Sequence, residues 1–488
     1  MRIPATPVLD RPTALAAPRS PRWAPVELLP PASLLLLGAV LLAPGHGLWF
    51  DELFTAEVAR LPLAEILRAV VSGRGTTSYL ADVPPSYNAP YYVVAHAWVS
   101  LPGVGGDTSL RLLSLLAAAG GLALVTRAVA RLAGRATGVV AGSVLAAAPL
   151  LLEQAVEARS YGLVVLATGG ALLGLVRWLQ ERPRGLLLFG VAGAGMGLMH
   201  WYAVTALAAF VVAALLLRGR RALRVVLTGA AAALPVAGLV GVNLLNGTGA
   251  RNAEHLTTTD GALADLAVAA WAGGSRVLLH LTVGLALVGA LRATGVRVIG
   301  ACWVLVPLLL LTAAELVRPV YLPRYLLAGL LGLGVLAAAG ALALPRAARA
   351  PAAALLVALS LLAASPLATR EPRERADDVV AFLAAEQRAG EPVVAADQRA
   401  ATGLDHYVRT AAPRLRPDVV LPPDDAPVTA PVTAPVTDGR VWLVRRLIDG
   451  EPVPTDDDGI LRAAGWRLTG ETAFPAVKTD LVVQRWER

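Results

Sequence analysis

Over most of its length the chain alternates long apolar runs with short polar breaks. Runs of the roughly 20 residues that a bilayer-spanning helix requires begin near Leu28, Leu110, Thr137, Gly162, Arg184, Ala203, Arg221, Arg276, Val296, Tyr321 and Pro351. They predict an all-α polytopic membrane protein of about eleven transmembrane helices over residues 28–368, preceded by a tail at 1–27. The segment Pro90 to Leu101 is less apolar and is read as interfacial or re-entrant, since counting it as a span would invert every later loop. The first run lacks a convincing small-residue cleavage site, so it reads as a retained anchor.

After about Thr369 the pattern changes. Apolar runs shorten to strand length at Pro392–Ala396, Arg440–Val444 and Leu481–Gln484, and a helical pattern covers Glu374–Gln387. Residues 369–488 are therefore expected to form a small α/β domain. Within it Ala-Pro-Val-Thr repeats three times from Ala426 to Thr437, an extended surface linker by composition.

Composition sharpens this picture. With 56% hydrophobic residues and a mean hydropathy of +0.61, the chain has too little polar surface for water, and the bilayer is its solvent. The net charge of +8 is spread in short clusters rather than gathered on one basic domain, which argues for topology and against nucleic acid. These clusters are Arg127/Arg131/Arg135, Arg177/Arg182/Arg184, Arg218/Arg220/Arg221/Arg224, Arg292/Arg297 and Arg346/Arg349, each two candidate spans from the next. All five thus share one side with the N-terminal tail, the cytoplasmic side of a bacterial inner membrane. The first loop, 48–108, the loops at Glu153–Tyr161, His200–Tyr202, Asn243–Asp265 and Glu315–Arg324, and the C-terminal domain then lie outside. Cys302, the single cysteine, sits in an apolar run and reads as helix packing; Lys478, the single lysine, reads as a coding bias toward arginine.

The loops assigned to the outside carry the candidate chemistry. Trp49-Phe50-Asp51-Glu52 follows the first run. The two acids either cap a helix over Leu53–Val71 or supply a general base, with one of them acting. Asn88-Ala89-Pro90-Tyr91-Tyr92, with His96 and Trp98, suits an interface by its aromatics. Glu157-Ala158-Arg159-Ser160-Tyr161 either holds an internal ion pair or offers Arg159 to a phosphate. His200-Trp201-Tyr202 joins two spans, and Pro323-Arg324-Tyr325-Leu326 opens a late one with a second guanidinium suited to phosphate. No HExxH or CxxC metal signature occurs.

In order and spacing these motifs resemble the GT-C glycosyltransferases, in the family 39/83-like branch that includes protein mannosyltransferases and lipid A aminoarabinose transferases. The resemblance covers about Leu28 to Leu344. It implies transfer of a sugar from a polyprenyl-phosphate donor to an acceptor hydroxyl on a glycan, lipid or protein, at the outer face of the membrane and with inversion. Mannose and arabinose are among the sugars that share this donor chemistry. It further implies Asp51 as the catalytic acid with Glu52 as second member of the motif, and Arg159 and Arg324 on the donor phosphate. Asn88, Tyr91, Tyr92, His96, Glu157, Tyr161, His200, Tyr202 and Tyr325 would line the cavity. Asn88 stands where related sequences often carry histidine. Some members use a divalent cation, Mg or Mn, which here would fall to Asp51 or Glu52; others use none. The competing expectation is a transporter or flippase of a lipid-linked glycan, which usually shows internal repeats, and none is evident here.

Overall fold

The computed structural model describes residues 23–72, 89–245, 271–317, 322–421, 439–448, 450–453 and 457–488. Asn88 and the Ala-Pro-Val-Thr repeats lie outside them. The chain is an integral membrane protein: among the described residues seven helical stretches are long and apolar enough to cross a bilayer, and an eighth counts if one bent pair is a single span.

Helix α1 spans Leu29–Leu42, continuing a 3₁₀ turn at Pro25–Leu28. Three short helices follow, α2 (Phe50–Arg60), α3 (Leu63–Ser72) and α4 (Ala89–Val99). The single helix expected over Leu53–Val71 is in fact α2 and α3, broken at Leu61 and Pro62, because proline cannot continue the ladder of the preceding turn. With 11 residues, α4 reaches only about 16 Å and is too short to span.

The bundle continues with α5 (Asp107–Ala133), the bent pair α6 (Arg135–Ala146) and α7 (Pro149–Ala155), α8 (Tyr161–Leu179), α9 (Gly185–Met199), α10 (Val204–Arg218) and α11 (Leu223–Leu245). It is completed by α12 (Arg276–Arg292), α13 (Arg297–Glu315), α14 (Leu327–Ala343) and α15 (Arg346–Ala364). The apolar stretch Trp201–Leu245 folds back at Gly219, whose φ is +54°. In consequence Gly193 of α9 meets Leu207 of α10 and Ala232 of α11, while Gly197 meets Val204 and Val236. With α9 and α12, which have 15 and 17 residues, the apolar segments correspond one for one with the runs read from the sequence.

Close packing relies on missing side chains. A Cβ at Gly162 would lie 2.2 Å from the Ser114 carbonyl oxygen, so glycine there lets the start of α8 meet α5 beside the site. Ser114 also donates its hydroxyl to the Arg159 carbonyl at 2.9 Å, pinning the loop between α7 and α8.

The basic clusters gather at one end of the bundle. Arg131 donates to Gln180 and Arg218 to the Leu179 carbonyl, while Gly295 packs on Leu132. The other end, where α8 begins and α9 finishes, carries the candidate site and the C-terminal domain.

That domain contains a sheet of strand order β2 (Val419–Val420), β1 (Val393–Ala395), β3 (Arg440–Ile448), β6 (Asp480–Glu487) and β5 (Arg467–Phe474). β4 (Glu451–Pro452) pairs with β3. The first three strands are parallel and the last three antiparallel. Helices α16 (Ala376–Glu386) and α17 (Gln398–Thr410) accompany it, with α18 (Asp457–Ala463) before β5. One hydrophobic core joins domain and bundle: Leu48, Leu53, Phe54, Tyr91 and Tyr92 pack with Val379, Leu383, Leu404 and Trp442.

Candidate active site

Asp51 and Glu52 open α2, and the helix directs them to different environments. Glu52, 1% exposed, accepts from Arg111 at both oxygens, Nε to Oε1 at 2.8 Å and Nη2 to Oε2 at 2.6 Å. The Ala158 N–H donates to Oε1 at 2.7 Å and the Trp49 N–H to Oε2 at 3.4 Å. Its carboxylate thus performs the capping role and ties α2 to α5 and to the loop before α8.

Asp51 instead points to a cluster of cations. Nη2 of Arg159 lies 3.9 Å and Nη2 of Arg324 3.4 Å from Oδ2, and Nη1 of Arg159 donates to the Asp51 carbonyl at 3.2 Å. Burial alone would raise this carboxyl, but Arg159, Arg324, Lys478 and Arg373 outweigh it and hold it below the usual carboxylate range. Asp51 is therefore ionised and, with its side chain 21% exposed, open to a ligand.

One wall beside the arginines is aromatic. Tyr161 and His200 meet at 3.4 Å between hydroxyl and Nε2. His200 packs against Tyr202 and Tyr325 at centroid separations of 5.6 and 4.9 Å, and those tyrosines stack at 4.7 Å. Burial, with Arg159 and Arg324 nearby, pushes His200 down to about 3, so it is neutral and serves as a hydrogen-bonding wall. Tyr91 and Tyr92 are packed behind α2, Tyr92 against Phe54 at 5.5 Å. His96 is turned away, its Nδ1 on the Ala59 carbonyl at 2.9 Å.

Glu157 is buried with Arg373 at 2.5 Å. Burial, with Glu153 and Glu52 adding to it against Arg373, pushes it up to about 6. Arg373 also meets Glu153 at 2.7 Å, and Glu153 is bound by Arg370.

Sequence reading missed the contribution of the C-terminal domain. Arg373 lies over the Trp49 ring at 4.6 Å, Lys478 over the same ring at 4.9 Å, and Arg399 over Phe50 at 4.5 Å. Glu374 accepts from the Phe50 N–H at 2.8 Å. The solitary lysine in an arginine-rich chain was the available signal, and composition absorbed it.

Among the described residues no group of three His, Cys, Asp or Glu side chains is placed to hold a metal. The carboxylate open to the site already faces two guanidinium groups, and Glu52 is enclosed. These residues do not fit a divalent cation, which like charge would repel.

ArnT from Cupriavidus metallidurans superposes on the chain in its apo state with a TM-score of 0.55, at 14% identity, over 94% of this chain and 97% of that one. The structure of ArnT from the same organism bound to undecaprenyl phosphate gives 0.56 at the same identity and coverage. The chain has the GT-C fold. Neither a family model nor a curated protein sequence matches it, so the likeness to ArnT is one of architecture carried by a very different sequence.

Proposed function

We propose that the protein is a glycosyltransferase that moves a hexose or pentose from a polyprenyl-phosphate donor to an acceptor hydroxyl, with inversion, at the outer face of the cytoplasmic membrane. The observation that carries this reading is Asp51, ionised and solvent-accessible, held between Arg159 and Arg324. The two guanidiniums come from loops far apart in sequence and converge on one acid.

In this reading Arg324 and Arg159 bind the donor phosphate, the leaving group. As the anomeric C–O bond breaks, its electron pair stays with the phosphate oxygen. The acceptor oxygen attacks from the opposite face and its proton passes to Asp51. Phosphate draws the guanidiniums from Asp51, which raises the basicity of that carboxylate when it is needed. Glu52 positions Asp51 through its bonds to Arg111 and Ala158. Tyr161, His200, Tyr202 and Tyr325 present an aromatic and polar wall beside the arginines. The structure of ArnT with undecaprenyl phosphate supports a lipid of this class as the donor carrier.

Asp51→Asn keeps the shape and removes the base. Transfer of sugar from a labelled polyprenyl-phosphate donor by purified protein is expected to fall by about 10²–10⁴-fold, with binding of undecaprenyl phosphate retained. Wild-type turnover in Asp51→Asn refutes the assignment.

A further inference from the structure

The β5–β6 hairpin brings a residue of the C-terminal domain to the candidate active site. Its tip is fixed by main-chain bonds to the segment before α16: Val477 N–H to the Pro372 carbonyl at 3.0 Å, Lys478 N–H and Thr479 N–H to Arg373 at 3.2 and 3.3 Å. Arg375 donates to the Pro475 carbonyl, and Asp480 accepts from the Ala476 N–H at 2.7 Å. The backbone of Lys478 is thus held in register with Arg373, whose side chain is committed to Glu153 and Glu157.

The Lys478 ammonium has no such commitment. It rests over Trp49, two residues before Asp51, at 4.9 Å from the ring centroid. Among the described residues no carboxylate lies in ion-pair contact with it. Asp51 and Glu157 attract it, while Arg324 and Arg373 repel it. Glu157 is already bound by Arg373. Asp51 therefore faces Arg324, Arg159 and Lys478 together, and one carboxylate does not neutralise three cations.

This surplus has a counterpart in the reaction. A sugar phosphodiester carries one negative charge, whereas the monoester it leaves behind approaches two, with a second pKa of about 6. A cation left without its own carboxylate in the resting protein is worth most where charge grows as the bond breaks. We propose that Lys478 is a third cation of the polyprenyl-phosphate site, delivered by the C-terminal domain to bind the phosphate as it leaves. This rests on the donor reading given above and adds that the membrane bundle alone holds an incomplete phosphate site.

The test uses the full chain in lipid nanodiscs, titrated with undecaprenyl phosphate and with uncharged undecaprenol by native mass spectrometry. Lys478→Ala is expected to weaken undecaprenyl phosphate binding by about tenfold or more, as loss of one charge-assisted contact does, and to leave undecaprenol unchanged. Lys478→Arg is expected to restore most of the affinity. Equal binding by Lys478→Ala and wild type, with binding lost in Arg324→Ala, overturns the role of Lys478 while the donor site stands. Wild-type binding in both variants overturns the donor site itself. Equal loss of both lipids in Lys478→Ala overturns the proposal too, since charge would then not be what is recognised.

Discussion

Two adjacent acids at the start of α2 have opposite fates. Glu52 is enclosed by Arg111 and two backbone N–H groups, whereas Asp51 is open and faces Arg159 and Arg324. Their variants should separate accordingly. Glu52→Gln leaves Arg111 without its counter-charge, and breaking a buried pair in this way costs about 3–5 kcal/mol. A clear drop in the thermal unfolding midpoint is expected, together with lost activity, whereas Asp51→Asn should lose turnover without such a drop. An unfolding midpoint unchanged in Glu52→Gln contradicts the positioning role. Asp51, Arg159 and Arg324 were legible in the sequence because each interrupts an apolar pattern at the same end of the spans. Arg111 was not, since it lies just inside an apolar run and resembles a charge at a span border. Nor was Lys478, whose partner Trp49 stands more than 400 residues away.

Helix α17 is the element that fastens the C-terminal domain to the bundle. His406, fully buried, meets Glu57 of α2 at 2.8 Å and Asp107 of α5 at 3.1 Å, with Arg60 and Arg409 also on Glu57. Tyr407 donates to Asp107 and accepts from the Leu48 N–H. Burial opposes protonation of His406, but its bonds to Asp107 and Glu57 prevail and raise its pKa above 6.5. Glu374, at the same junction, is pushed up to about 7, chiefly by burial. Both groups hold a proton more tightly folded than unfolded, so their contribution is present at low pH and fades as pH rises, Glu374 by about 7 and His406 above 6.5. The unfolding midpoint should therefore fall by about 1–3 °C between pH 6 and pH 8, and His406→Gln should flatten that slope. A slope of opposite sign, or one unchanged in His406→Gln, removes His406 as its source. The apolar helices were readable in the sequence because a span must be apolar along its whole length. Strand β5 was not, because its residues are half-buried or exposed throughout and it pairs only with β6 at the sheet edge.

At the scale of the whole molecule, charge and chemistry occupy opposite ends. The arginine clusters meet around Arg131, Gln180 and Arg218, while Asp51 pairs with Arg324, and Lys478 lies over Trp49, where the C-terminal domain docks. Short loops retain positive charge on the cytoplasmic side during insertion, and a polyprenyl chain can bring its sugar to an enzyme only in the leaflet the site faces. The first consideration is the ground for proposing that the site and the C-terminal domain lie outside the cytoplasm, and labelling tests it. Cys302, the single cysteine, is buried, so Cys302→Ser gives a background in which one new thiol reports one side. Leu468 on β5 and Arg220 in the turn between α10 and α11 are exposed and belong to opposite ends. In spheroplasts, a membrane-impermeant maleimide is expected to label Leu468→Cys and to reach Arg220→Cys only after the membrane is permeabilised. The reverse pattern would put Asp51 and Lys478 in the cytoplasm and overturn the orientation that the arginine clusters predict. Labelling of both from one side would mean that the two ends do not lie across a bilayer.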